Sequence, residues 1–278
     1  MTRKGAQDRV LILGAGKVGR TLASGLRRAG CPVTIRPARA ALPRRLDAAL
    51  LVLCVRDRTL GELAAALRGR VSARTAVVHV AGAHGPSILE PLRGHCAGIG
   101  QAHPLLSFAS PRVLPALTGA HLLIAGERVA LERTRALARR LGMIPRRWAS
   151  VELPLYHAAA GLLANGSAAL AAAAERLLRA AGCPPDELGR VLGPLLRSVA
   201  DNVTRLGTPH ALTGPIRRGD AGTVHAHLVA LERALPELLP LYVACAEAQL
   251  PMARALKEAP RASLRQIEKE LRQRRRPA

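Results

Sequence analysis

Three short constellations in the 278-residue chain carry side chains able to move a proton or hold a small anion. His157, Gly161 and Asn165 are spaced by four, so on a helix they share one face. His157 and Asn165 are the polar groups of an otherwise apolar stretch, where they could orient a substrate and exchange a proton with its oxygen or nitrogen. Spacing alone leaves open the plainer roles of bonding a neighbouring loop or capping a packed interface. His103 stands in Gln101-Ala-His-Pro-Leu-Leu-Ser-Phe108, and the proline after it imposes extended backbone that could project the imidazole into a cleft, or merely let it bond the turn. In the third constellation, Ala211–Asp220, Gly214-Pro215 and Gly219 shape a loop and Arg218 suits a carboxylate. Asp220 there can cap a helix beginning at Ala221. His103, His157 and Asn165 are therefore the candidate catalytic residues, and Thr213, Arg218 and Asp220 the candidate substrate-binding ones; no metal site is expected.

Such groups need elements to hold them. Apolar strand candidates fall at 9–13, 32–36, 49–55, 75–80, 97–101, 120–124 and 143–147, with helical patterns at 17–29, 58–68 and 128–141. That alternation predicts a doubly wound, mostly parallel sheet, whose ligands bind beyond the carboxyl ends of the strands. Those ends read Arg36, Val55-Arg56-Asp57, Ala81-Gly82 and His103-Pro104. After Trp148 the strands stop, and helices are expected from Pro154 to Ala181 and near 185–205, 221–234 and 236–248. The segment from Arg261 onward is charged enough to read as a basic helix or a solvated, frayed end.

The first strand, Val10-Leu11-Ile12-Leu13, feeds directly into Gly14-Ala15-Gly16-Lys17-Val18-Gly19 and then a helix. In that setting G-x-G-x-x-G is a dinucleotide fingerprint. The first glycine makes the turn, the second admits a pyrophosphate and the third lets helix and strand pack closely. An NAD site ends its second strand in an acid that holds the ribose 2′-hydroxyl. Here that place reads Val33-Thr-Ile-Arg36-Pro-Ala-Arg39, followed by Arg44-Arg45, which favours the 2′-phosphate of NADP over NAD. Val55, Arg56, Asp57 and Gly82 complete the expected cofactor side.

The formal charge is +23, almost all of it arginine, against four aromatic residues in the whole chain. Without stacking residues or reading motifs the arginines do not make a nucleic-acid site, although their field would gather an anionic ligand. Cys31, Cys54, Cys96, Cys183 and Cys245 are scattered and odd in number, the usage of a reducing compartment, and the polar N-terminal residues hold no apolar signal region; a cytoplasmic protein is expected. Leu153–Ala174 lacks Asp, Glu, Lys and Arg, but it is mostly alanine and contains His157, Asn165, Gly161, Gly166 and Ser167. It reads as a buried helix of a water-soluble fold, not a membrane span.

Taken together, Gly14–Gly19, His103-Pro-Leu, Tyr156-His-Ala-Ala-Ala160 with Asn165, Pro194-Leu-Leu196, and Leu212-Thr-Gly-Pro-Ile216 with Arg218-Gly-Asp220 resemble one family. It is the Rossmann-like oxidoreductases with the C-terminal domain of unknown function 2520. The resemblance implies an NADP-dependent oxidoreductase with a Rossmann domain over 1–150 and an all-helical domain over 151–260, similar to that of 6-phosphogluconate dehydrogenase. Residues 261–278 would be a basic tail. It implies kinship with ketopantoate, pyrroline-carboxylate and β-hydroxyacid reductases, a small anionic carbonyl or imine substrate held between the domains, and a homodimer formed through the helical domain. In the β-hydroxyacid and ketopantoate enzymes a lysine precedes the helix asparagine by four. Gly161 stands there, so the acid would be His157 one turn earlier, or His103, whose His-Pro step resembles that of prephenate dehydrogenases. A non-catalytic NADP-binding sensor or scaffold is the alternative.

Overall fold

The computed structural model describes residues 9–275; the polar N-terminal segment before Arg9 and residues 276–278 of the basic tail lie outside it. Seven strands form one sheet: β1 Val10–Leu13, β2 Val33–Arg36, β3 Leu50–Leu53, β4 Ala76–His79, β5 Gly98–Pro104, β6 His121–Gly126 and β7 Ile144–Arg146. Their order is β2-β1-β3-β4-β5-β6-β7. The first five are mutually parallel, β6 runs antiparallel to β5, and β7 is parallel to β6. This is the expected doubly wound, mostly parallel sheet. Its direction of growth reverses between β1 and β3, the switch point where such folds bind ligands.

Short strands buried on both faces are largely apolar, and β1, β3 and β4 are fully buried. Val10, Ile12, Leu50, Val52 and Val78 face one core with Leu22 and Leu26 of α1 (Lys17–Arg28) and Leu131 and Leu137 of α3 (Arg128–Arg140). Leu11, Leu13, Leu51, Leu53 and Val77 face the other. There they meet Leu60 and Leu67 of α2 (Leu60–Leu67) and Leu89 and Leu92 of the 3-10 segment Pro86–Leu92. β5 runs three residues beyond the expected end at 101, because His103 and Pro104 stay paired with Leu123 and Leu122 of β6. His103 is therefore fixed on a strand and not in a loop.

After β7 the chain is helical: α4 Leu153–Ala180, α5 Leu188–Leu206, α6 Gly214–Arg218, α7 Ala221–Ala234, α8 Leu239–Leu256 and α9 Arg261–Arg275. The chain divides into two compact units, Met1–Gly166 and Ser167–Ala278. The division falls inside α4, whose first turns pack through Tyr156 and His157 on the strand residue His103.

The second unit has its own core, built from Leu212, Ile216, Val224, Leu228, Val243, Leu250, Leu264, Ile267 and Leu271. The last three belong to α9, which corrects the reading of residues 261 onward as a solvated tail. Leu264, Ile267 and Leu271 are spaced by three and four, a narrow apolar stripe hidden by the arginines around it. Ion pairs secure the helix: Arg274 with Glu232 of α7, and Arg254 of α8 with Glu268. A second correction concerns α4. No residue of it is buried, and Leu155, Leu162 and Leu163 are more than two-thirds exposed. Among the described residues no helix is long and apolar enough to cross a membrane.

Ile267 is fully buried, so Ile267→Ala should cost about 2–4 kcal/mol through lost burial and a residual cavity. Urea unfolding checks this. An effect no larger than that of Arg265→Ala on the exposed side of α9 would return the segment to a surface role.

Candidate active site

The cradle at the end of β1 is built by what its glycines lack. Gly14 has φ +116°, and a Cβ there would lie 2.1 Å from the carbonyl oxygen of Cys54 at the end of β3. A Cβ on Gly19 would lie 1.9 Å from the Gly14 carbonyl oxygen. The turn is thus pressed against β3 on one side and its own helix on the other. Gly16, between them, has open space around its missing side chain and is the N-cap of α1, so free helix amides face outward there. Gly14–Gly19 accordingly fit a dinucleotide pyrophosphate. Arg36 is the last residue of β2, and its carbonyl accepts the Gly14 N–H. Val55, Arg56 and Asp57 follow β3 and enter a short 3-10 turn.

The second part of the site lies at the ends of β4 and β5. His79, the last residue of β4, is fully buried. The Ala81 N–H donates to its Nδ1 at 3.2 Å, so the ring proton must sit on Nε2, which donates to the Gly85 carbonyl at 3.0 Å. The Gln101 side-chain amide of β5 donates to the Ala81 carbonyl at 2.9 Å. Two buried polar side chains from adjacent strands thereby hold the loop that carries Gly82.

Gly82 in turn admits two imidazoles. A Cβ on it would come within 2.8 Å of Cε1 and Nε2 of His103 and of Cδ2 of His157. The two rings are edge-on, with centroids 6.1 Å apart. On its other side His103 Nδ1 lies 2.7 Å from the hydroxyl of Tyr156, whose ring stands edge-on to Trp148. Burial pushes the His103 imidazole down to about 4, helped by the neighbouring imidazoles of His157 and His79 and opposed by Asp57. Burial likewise pushes His79 down to about 4, against the bond to Gly85. The Tyr156 phenol is pushed up to about 12 by burial.

His103 and His157 thus meet, with Gly82 between them and Asp57 near enough to be felt. Asn165 lies two turns further along α4, about 12 Å at 1.5 Å per residue, and is exposed. In the second unit Thr213 and Asp220 flank α6. Both Asp220 oxygens accept from the cap, from the Thr223 N–H at 3.0 Å and its hydroxyl at 2.7 Å. Of the neighbouring arginines, Arg217 is tied bidentately to Glu258 and bonds the His210 and Leu212 carbonyls, whereas Arg218 is exposed. His79, Gln101 and Tyr156 were not candidates from sequence. A histidine closing the apolar run Ala76-Val-Val-His79 is the one signal that could have marked the first of them.

Residues 120–249 match the family described as domain of unknown function DUF2520, as the resemblance implied. The fold is shared with a crystal structure of a candidate NADP oxidoreductase from Bacteroides fragilis, 22% identical, at a TM-score of 0.70 over 88% of this chain and 98% of that one. It is shared also with protein TM1727 of Thermotoga maritima, 21% identical, TM-score 0.66, over 89% and 99%. Pyrroline carboxylate reductase of Plasmodium falciparum, solved with NADP bound, is 10% identical with a TM-score of 0.60 over 97% and 98%. No curated protein sequence matches the chain.

Acid should weaken the fold in a defined window. His79 is neutral when folded, whereas in the unfolded chain it takes up a proton near pH 6.5. Stability is therefore complete above that pH and falls as the pH drops toward 4, by up to about 3 kcal/mol from His79. Urea midpoints at pH 7.5 and 4.5 should differ accordingly, and less so in His79→Gln; equal pH slopes for the two proteins would contradict the assignment.

Proposed function

We propose that this chain, which carries a DUF2520 domain over residues 120–249, is an NADP-dependent oxidoreductase acting on a small anionic carbonyl or imine compound. The observation that carries the reading is the pair of imidazoles beside Gly82, at the same carboxyl-end edge of the sheet as the glycine cradle. The cofactor supplies hydride chemistry when bound. The chain's own part is to position and to handle a proton: His103 or His157 is the acid/base, Asn165 orients the substrate, and Arg218, free of the ion pair that occupies Arg217, takes its carboxylate. NADP is preferred to NAD on chemical grounds, since β2 ends in Arg36 where an NAD site carries an acid, and arginines at 39, 44 and 45 follow. The five free cysteines suit a reducing compartment, the cytoplasm. A non-catalytic NADP sensor is the second reading. It is favoured by Gly161 standing where related reductases carry lysine, and turnover of any hydroxy acid or amino acid with NADP would end it.

Thermal unfolding with NADPH, with NADH and with neither tests the central claim. A ligand at a hundred times its Kd adds about 2.7 kcal/mol to the native state. NADPH should raise the midpoint more than NADH, and Arg36→Ala should erase the difference. No rise with either nucleotide would remove the proposal.

The partner in this reading is a second copy. On α5 only Leu188 is buried, while Val191, Leu195, Val199 and Val203, spaced by four, form a stripe that the described residues leave uncovered. A helix with such a stripe is held in water by packing, not by propensity. Sedimentation should give a dimer for the native chain and a monomer for Val199→Glu; a native monomer would overturn the assignment.

A further inference from the structure

We propose that Tyr156 locks His103 in the tautomer with its proton on Nε2, so that His103 offers the site a neutral N–H donor and Tyr156 is its positioning residue. The argument rests on counting hydrogens. His103 and Tyr156 meet at 2.7 Å through Nδ1 and the hydroxyl oxygen, and in their neutral forms each brings one exchangeable hydrogen. If Nδ1 carried the ring proton and donated to the phenol oxygen, the phenol hydrogen would have no acceptor among the described residues. If the phenol donates to Nδ1, that hydrogen is satisfied, and the ring proton sits on Nε2, on the edge of the ring against Gly82. The phenol is also the stronger acid of the two, which favours the same direction. Nε2 has no hydrogen-bond partner among the described residues, so its N–H is available to a ligand.

The neighbourhood keeps both partners neutral. The charged or titratable groups facing His103 are His157 and Tyr156 from α4, His79 from β4 and Asp57 after β3. Burial and the two histidines outweigh Asp57, holding the imidazole uncharged down to about pH 4, and the phenol stays protonated up to about 12. A neutral imidazole N–H can polarise a carbonyl or imine by hydrogen bonding without giving up its proton. Proton exchange then falls to His157, the exposed member of the pair. Trp148 supports the arrangement by standing edge-on to the Tyr156 ring at 6.2 Å.

This assignment deepens the oxidoreductase reading, but its test does not depend on it. The full chain labelled with 15N-histidine would be studied by one- and two-bond proton–nitrogen correlation, with His103 identified by its loss in His103→Gln. His103 should be the Nε2–H tautomer between pH 5 and 8. In Tyr156→Phe, which keeps the ring against Trp148, the tautomer ratio should fall by roughly fivefold, the worth of one neutral hydrogen bond. An Nδ1–H tautomer in the native chain, or an unchanged ratio in Tyr156→Phe, would overturn the proposal. Should Tyr156→Phe not fold, the native spectrum alone still decides. NADPH-induced stabilisation, recorded on the same samples, should be equal in the native chain and Tyr156→Phe. Its absence from both would sink the oxidoreductase reading and leave the tautomer result standing.

Discussion

The hydrogen bonds that His79 and Gln101 make to the loop after β4 are what the candidate site depends on. A loop at the end of a strand has backbone groups that need partners, and here two buried side chains supply them. Because both side chains stand on adjacent strands of a rigid sheet, the loop inherits the precision of the sheet. Gly82 is then held where its missing side chain makes room for one imidazole from β5 and another from α4. Take away the pinning and the two rings lose the surface they share. Burying His79 has a cost, since the ring must stay neutral, and the site accepts that cost in exchange for geometry.

A similar economy governs the glycine cradle. Side-chain absence is the active ingredient at Gly14 and Gly19, where backbone meets backbone, and at Gly16, where space is left. Arg36 joins the two halves of that arrangement, since its carbonyl binds the Gly14 amide while its side chain leaves the end of β2. The end of β2 is therefore fastened directly to the glycine turn.

Much of this is legible in the sequence, and the exceptions have physical reasons. The central strands β1, β3 and β4 and the turn at 14–19 are local signals: short, largely apolar runs bounded by turn residues, and glycines at fixed offsets. His103 and His157 can be nominated singly from their settings, but their meeting is a tertiary fact, since nothing local says which face of α4 lies on β5. The bond Tyr156 makes is hidden for the same reason, its partner lying fifty-three residues away. Alanine-rich composition misleads for α4, because apolar content foretells that a surface will be covered without saying by which chain. In α9 the error runs the other way, with three apolar residues outvoted by arginines, most of which lie on its outer side.

That placement of α9 bears on how the polypeptide is made. Every strand of the sheet has been synthesised by residue 146, and each is flanked in the sheet by strands close to it in sequence. The sheet unit can thus consolidate step by step on a growing chain, apart from the first turns of α4. The helical unit has no such option. Leu264, Ile267 and Leu271 complete the core over α7 and α8, so those helices must emerge with their apolar faces uncovered and wait.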